Sequence, residues 1–143
     1  MTFFKCPVCG GSLKCENGVY TCSERHSFDR ASAGYVNLLM SNSSSLKRHG
    51  DDKLMVRSRR DFLNGGYYEP LKTAVLNACK GFSFDGVSVC DVGCGEGYFT
   101  DGLKDALPQG AEIFGIDISK DALKYAAKRC KGVSFAVASA FLL

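Results

Sequence analysis

Residues 87–97, VSVCDVGCGEG, join an apolar run of strand length to a turn that contains three glycines. The next segment, Tyr98–Leu107, has a helical pattern and stops before a proline. A second apolar run, AEIFGID at 111–117, is followed by Ser119, which can cap a helix, and a third run covers Val133–Val137. Strands that alternate with helices at this spacing form right-handed βαβ units. The sequence therefore predicts an α/β fold with about three parallel strands and covering helices.

Two more helices are predicted upstream of this pattern. Charged and apolar residues recur at helical spacing from Lys53 to Asn64, and Gly65 and Gly66 follow as a stop. Pro70 suits the first turn of a helix, so we expect a second helix over roughly residues 70–80.

The amino-terminal segment carries the pattern of a metal site. Cys6, Cys9, Cys22 and His26 follow the spacing C-x2-C-x12-C-x3-H, which is typical of tetrahedral zinc sites. Cys15 is a competing ligand, but Cys22 and His26 can form a second compact knuckle, whereas Cys15 lies midway between the two pairs. The alternative is a set of ordinary reduced cysteines with a surface histidine. Four protein ligands leave no open position, so we expect the zinc to be structural.

Composition and charge restrict the function classes. The chain has 143 residues, 45% of them hydrophobic, and a net charge of +3, which is too small to indicate nucleic-acid binding by itself. Residues 1–72 hold 11 basic and 7 acidic side chains, whereas residues 73–143 hold 7 and 8, so an anionic partner is expected at the first half. No apolar run is long enough to cross a membrane and no secretion signal is recognisable, so we expect a cytoplasmic protein without a membrane partner.

The composition changes along the chain predict three parts. Residues 1–40 are expected to form a small zinc-binding module. Residues 41–52, SNSSSLKRHGDD, are polar and nearly free of large apolar side chains, which predicts a linker. Residues 53–143 are then the α/β domain.

The glycine turn predicts a nucleotide-like cofactor. Glycines between a strand and a helix let the backbone approach a ligand closely. Asp117 ends the next predicted strand, where its carboxylate can accept hydrogen bonds from ribose hydroxyls, although it could also serve only as a helix cap. A nicotinamide site would favour G-x-G-x-x-G, but Tyr98 stands where that fingerprint needs its third glycine. The observed D-x-G-x-G-x-G resembles motif I of class I S-adenosylmethionine-dependent methyltransferases, and Asp117 resembles their motif II acid.

Five segments together resemble the 23S rRNA (guanine-N1)-methyltransferase family. They are the cysteine–histidine pattern, FDRASAGYVNLL, RSRRDFLNGGYYEPL, DVGCGEGYFT and FGIDISKDALKYAAKR. The resemblance implies a zinc module followed by a Rossmann-like methyltransferase domain, with zinc and S-adenosylmethionine as cofactors. It also implies a 23S rRNA hairpin as substrate, which the zinc module of residues 1–40 would recognise, and residues 53–143 would be the amino-terminal part of the methyltransferase domain. A homodimer is a further expectation.

The resemblance implies site residues as well. The zinc ligands would be Cys6, Cys9, Cys22 and His26, and the cofactor residues would be Tyr68, Asp91, Gly93, Gly95, Glu96, Gly97 and Asp117. The chain resembles only the amino-terminal half of the family, so no catalytic residue is assigned and we expect no turnover by the chain alone. Two rival hypotheses are a non-catalytic zinc-containing RNA-binding module and a nicotinamide oxidoreductase.

Overall fold

A computed structural model describes residues 2–40, 51–81 and 86–140. The first of these segments contains a small antiparallel sheet of strands β1 (Lys14–Glu16), β2 (Val19–Thr21) and β3 (Ser27–Asp29), in the order β1-β2-β3. The β1–β2 turn is Asn17-Gly18, and both residues have positive φ, 52° and 83°. This is the two-residue turn that matches the twist of a hairpin.

The second sheet confirms the predicted parallel α/β architecture. Its strands are β4 (Tyr35–Asn37), β5 (Ser88–Val92), β6 (Glu112–Asp117) and β7 (Ser134–Val137), all parallel, in the order β4-β7-β6-β5. Because the strands run in one direction, the glycine turn after β5 and Asp117 at the end of β6 lie at the same edge of the sheet.

Strand β4 was not predicted, and it ties the amino-terminal segment to the α/β domain. Tyr35 pairs with Phe135, and Asn37 with Val137. The buried side chains of both parts share one core, which includes Phe4, Leu13, Tyr20, Val36, Phe114, Ile116 and Ala136. The division at residues 41–52 stays a prediction, since residues 41–50 lie outside the described residues.

Two helices occupy the predicted positions before the glycine turn. Helix α1 covers Lys53–Asn64, and the Asp52 side chain caps it by accepting a hydrogen bond from the Met55 N–H at 2.9 Å. Helix α2 covers Glu69–Cys79 and has its proline in the first turn, as expected.

The prediction of one continuous helix over Tyr98–Leu107 is wrong, because the α-helix found there is much shorter. The structure has a 3-10 turn at Thr100–Gly102 followed by the short helix α3 (Leu103–Ala106). Gly102 is a poor helix former, and a Cβ at this position would overlap Leu76 of α2. The residue before Pro108 is extended, with φ −104° and ψ 159°, as proline requires of its neighbour.

Helix α4 (Lys120–Arg129) confirms the predicted Ser119 cap. The Ser119 hydroxyl accepts a hydrogen bond from the Ala122 N–H at 3.2 Å. Leu123 and Ala126 are fully buried against the sheet, whereas Lys124 is exposed. None of the helices in the described segments is long and apolar enough to cross a bilayer.

Candidate cofactor pocket and metal cluster

The glycine turn follows β5 and lies against the end of β6. The N–H groups of Gly93 and Cys94 both donate to the Ile116 carbonyl, at 2.9 and 3.0 Å. Gly93, Gly95 and Gly97 have φ values of 77°, 55° and 84°, which L-residues with a side chain rarely adopt. The positive φ angles of this turn therefore favour glycine at all three positions of the motif.

The surroundings of these glycines divide them into two kinds. An added Cβ at Gly93 or Gly95 would meet nothing within 4 Å, so both positions face open space. At Gly97 the same atom would lie 2.8 Å from the Cys130 Sγ and 3.1 Å from the Ala126 Cα. Gly97 therefore lets α4 pack closely against the turn, whereas Gly93 and Gly95 leave room for a ligand.

Asp117 is held at the centre of this edge by two backbone donors. Its Oδ2 accepts a hydrogen bond from the Gly95 N–H at 2.9 Å, and its Oδ1 accepts one from the Ser119 N–H at 2.7 Å. A carboxylate has about four lone-pair sites, so each oxygen keeps the capacity to accept another hydrogen bond. Asp117 therefore binds the start of α4 through Ser119, and its carboxylate is also a fixed hydrogen-bond acceptor beside the open space at Gly93 and Gly95.

A pocket of about 260 Å³ opens above these groups. It brings together four of the predicted cofactor residues, Gly93, Gly95, Glu96 and Asp117. Its remaining lining comes from Asp51, Val56, Arg59, Ile118, Ser119 and Ala122. A smaller neighbouring pocket of about 170 Å³ is mainly apolar and is lined by Val92, Gly93, Ile116, Asp117, Ile118, Ala138 and Ala140.

The side of the pocket formed by α1 was missed by the sequence analysis. Asp51 accepts a hydrogen bond at its carbonyl from the Ser119 hydroxyl at 3.0 Å, and its carboxylate pairs with Arg59 at 3.0 Å. Val56, the buried residue of α1, completes this wall. These positions are far from the glycine motif in sequence, and the helical spacing over residues 53–64 did not show which side of α1 faces the pocket.

Three predicted cofactor residues do not line the pocket of about 260 Å³. Asp91 accepts a hydrogen bond from the Thr100 hydroxyl at 2.6 Å, and burial raises the pKa of this carboxyl above its usual range. Tyr68 precedes α2 and packs edge-to-face against Phe62, with ring centroids 5.6 Å apart. Gly97 has the packing function described above. Cofactor contacts by Tyr68, Asp91 and Gly97 stay predictions.

Glu96 is the most unusual group at the pocket because it is a carboxylate that is only 3% exposed. The Arg129 Nη2 lies 3.0 Å from its Oε2, but neither carboxylate oxygen has an aligned hydrogen-bond donor among the described residues. Burial raises the pKa of Glu96, and the Arg129 charge opposes that rise. The pocket therefore contains a buried acceptor with unused hydrogen-bonding capacity.

The four predicted metal ligands lie together beside the small antiparallel sheet. Their ligand atoms are all within 4.8 Å of one another. The Cys9 and Cys22 sulfurs are 3.7 Å apart, and the His26 Nδ1 lies 3.4 Å from the Cys22 Sγ and 3.6 Å from the Cys6 Sγ. A zinc tetrahedron with Zn–S bonds of about 2.3 Å and a Zn–N bond of about 2.1 Å has edges of roughly 3.6–3.8 Å. The donor set and its spacing thus fit zinc.

Two tight turns bring these ligands to one point. In the first, the Gly10 N–H donates to the Cys6 carbonyl at 2.8 Å, and Gly10 has φ 71°. In the second, the Arg25 N–H donates to the Cys22 carbonyl at 3.0 Å. Cys15 is exposed on β1, pairs across the hairpin with Tyr20 and is outside the ligand cluster.

Two family models match the chain in separate regions. The zinc-ribbon model described as RlmA, N-terminal, matches residues 4–44. A methyltransferase domain model matches residues 83–143.

Curated relatives match across both regions. The 23S rRNA (guanine(748)-N(1))-methyltransferase of Streptomyces fradiae is 31% identical over 138 residues, which cover 95% of this chain and 48% of that protein. The "Putative 23S rRNA (guanine-N(1)-)-methyltransferase YxjB" of Bacillus subtilis (strain 168) is 34% identical over 145 residues, which cover 96% of this chain and 50% of that protein. Over nearly its whole length, the chain is similar to curated 23S rRNA (guanine-N1)-methyltransferases.

The similarity covers only part of the length of each relative. The chain spans about half the length of the curated relatives it matches, and the zinc-ribbon match places it at their amino-terminal half. Among solved structures, Streptomyces venezuelae DesVI is similar over 64% of this chain and 37% of its own, with a TM-score of 0.46 and 20% identity.

Proposed function

We propose that the pocket at Gly93, Gly95 and Asp117 binds S-adenosylmethionine, and that the whole protein transfers the methyl group to N1 of a guanine in 23S rRNA. The observation that carries the proposal is the position of Asp117. Its carboxylate is fixed by the Gly95 and Ser119 N–H groups and still has acceptor capacity at the pocket. The similarity to rRNA (guanine-N1)-methyltransferases and the methyltransferase domain match support the type of reaction.

The lining of the two pockets suits the chemical parts of this cofactor. Asp117 would accept hydrogen bonds from the ribose hydroxyls. The adjacent apolar pocket, with Val92 54% and Ile118 41% exposed, offers surface for the flat adenine ring. Glu96 and the backbone of Gly95 remain for the amino-acid end, whose ammonium group is a donor and a cation. Asp91 would support this site from the end of β5, and Gly97 would do so through the packing of α4. Tyr68 would support it from the turn between α1 and α2.

The reaction sets one further requirement on the complete enzyme. The cofactor supplies an electrophilic methyl group on a sulfonium, and guanine N1 forms the new carbon–nitrogen bond while the sulfur keeps the electrons of the broken one. N1 also loses its proton, which a general base within hydrogen-bond reach must accept. We assign no such base to a residue of this chain.

We also propose that Cys6, Cys9, Cys22 and His26 hold one structural zinc ion. The ion would fix the two tight turns, because a segment with few buried side chains gains much of its folding free energy from metal binding. The amino-terminal segment would then present exposed basic side chains such as Lys14, Arg25 and Arg30 to an rRNA hairpin, while unpaired loop bases carry the specificity. We further propose that the protein forms a homodimer and acts in the cytoplasm, the compartment of ribosomes.

The decisive experiment is a calorimetric titration of the zinc-loaded chain with S-adenosylmethionine and, separately, with NAD⁺. We expect saturable binding of one S-adenosylmethionine per chain and none of NAD⁺. Binding of neither would favour the non-catalytic RNA-binding hypothesis, and preferential binding of NAD⁺ would favour an oxidoreductase.

A further inference from the structure

Arg129, near the carboxyl end of α4, is the cation nearest to the buried Glu96 carboxylate among the described ion pairs. The two side chains are 19% and 2% exposed, and the Arg129 Nη2 lies 3.0 Å from the Glu96 Oε2. Removal of one partner from an ion pair this well shielded from water leaves an uncompensated buried charge.

Arg129 also contacts two other parts of the pocket structure. It donates a hydrogen bond to the Asn64 Oδ1 at 2.8 Å, at the last residue of α1. Its guanidinium lies 5.9 Å from the centre of the Tyr98 ring, directly after the glycine turn. One side chain on α4 thereby joins the end of α1, the glycine turn and Glu96.

We propose that Arg129 is a positioning residue of the cofactor pocket, which keeps Glu96 ionised and oriented and connects it to the carboxyl end of α1. The inference rests on the proposed S-adenosylmethionine site, because it assigns to Glu96 the ammonium group of that ligand. An ionised carboxylate is a stronger acceptor for a cation than a protonated one.

The charges around Glu96 explain why its ionisation depends on Arg129. Burial disfavours the charged carboxylate and raises the pKa of Glu96. The cations that oppose this effect are Arg129 on α4, Arg60 on α1 and Lys72 on α2, while Asp101 in the 3-10 turn adds to the rise. Arg129 is the largest of the favourable influences, so its removal should raise the pKa of Glu96 further.

The test compares Arg129→Gln and Arg129→Lys with a control variant, Lys128→Gln, which removes an exposed charge from the adjacent position of α4. S-adenosylmethionine affinity is measured by calorimetry from about pH 6 to about pH 8, and each dissociation constant is divided by the wild-type value at the same pH. This ratio cancels the titration of the ligand itself.

For Arg129→Gln we expect a ratio of about ten or more at the acidic end that falls as pH rises, since Glu96 then loses its proton. Arg129→Lys should keep most of the affinity, and Lys128→Gln should give a ratio near one throughout. In a Glu96→Gln background, adding Arg129→Gln should change the affinity little, because the two residues act as a unit. A ratio independent of pH, or an undiminished loss in the Glu96→Gln background, would overturn the proposal.

A second measurement needs no ligand. A carbon-13 NMR titration of the Glu96 carboxyl should show a higher pKa in Arg129→Gln than in the wild-type chain, and no change in Lys128→Gln. If the wild-type chain fails to bind S-adenosylmethionine, the proposed cofactor is wrong, and this titration still decides the relation between Arg129 and Glu96. An unchanged Glu96 pKa in Arg129→Gln would refute it.

Discussion

Alanine substitution of Gly97 and of Gly95 should separate the structural from the ligand-binding glycine of the turn. Both residues have positive φ, 84° and 55°, so an alanine at either site costs about 1–2 kcal/mol through its left-handed backbone. At Gly97 the new methyl would also lie 2.8 Å from the Cys130 Sγ and 3.2 Å from the Ala126 Cβ. Overpacking of this kind costs about 1–3 kcal/mol more.

The expected loss of unfolding free energy is therefore about 2–5 kcal/mol for Gly97→Ala and about 1–2 kcal/mol for Gly95→Ala. Urea denaturation of the zinc-loaded chains gives both values from the transition midpoints, provided that the m-values stay equal. For a domain of this size each kcal/mol corresponds to roughly 2–4 °C in the melting temperature.

Cofactor binding should show the opposite order. The methyl of Gly95→Ala would enter the open space at the pocket, so this variant should lose S-adenosylmethionine affinity while it stays folded. Gly97→Ala, measured well below its melting temperature, should retain more affinity. Equal stability losses, or a greater loss for Gly95→Ala, would refute the assignment of Gly97 to helix packing.

Further predictions concern the cysteines and the half-buried Asp91 carboxyl of β5. Cys22→Ser should remove zinc and unfold the sheet β1–β3, whereas Cys15→Ser should keep one zinc per chain; elemental analysis with circular dichroism checks both, and metal retention by Cys22→Ser would contradict the ligand set. In the native zinc-loaded chain, alkylation at about pH 8 should modify the exposed Cys15 but spare Cys90 and Cys130, because burial raises the pKa of these thiols to about 11 and about 12. Rapid labelling of the latter two, read by peptide mass spectrometry, would show that the core opens. Thr100→Val should lower the unfolding free energy by about 1–3 kcal/mol, because Asp91 loses its 2.6 Å hydrogen bond; an unchanged urea midpoint would contradict this.

The parallel sheet could be predicted because its strands leave a local signal. The apolar runs that became β5, β6 and β7 each end at a turn, and the Ser119 cap marks the start of α4. Strand β4 has only three residues, Tyr35–Asn37, and its partner β7 lies about a hundred residues away, so no local pattern could reveal the pairing.

The helix predicted after the glycine turn shows how tertiary packing overrides a periodic pattern. The apolar positions from Tyr98 to Leu107 have helical spacing, but Gly102 lies against Leu76 and the chain tightens into a 3-10 turn.

The candidate site was predictable only where a motif carried it. Gly93, Gly95, Glu96 and Asp117 lie within two short motifs, and the structure places all four at one pocket. The Arg129–Glu96 pair joins residues on separate elements, and the sequence contains no spacing rule for such a contact.

The central claim, that Asp117 anchors S-adenosylmethionine, is tested most directly by calorimetry on the zinc-loaded wild-type, Asp117→Ala and Asp105→Ala chains. Asp105 is an exposed acid on α3, so its variant controls for the loss of one negative charge. A hydrogen bond to a charged group contributes about 1.5–3 kcal/mol, so Asp117→Ala should weaken binding by roughly 10- to 150-fold. Melting curves identify any variant that is not folded at the temperature of the titration. The account predicts this loss for Asp117→Ala and wild-type affinity for Asp105→Ala; equal affinity of all three folded chains would contradict it.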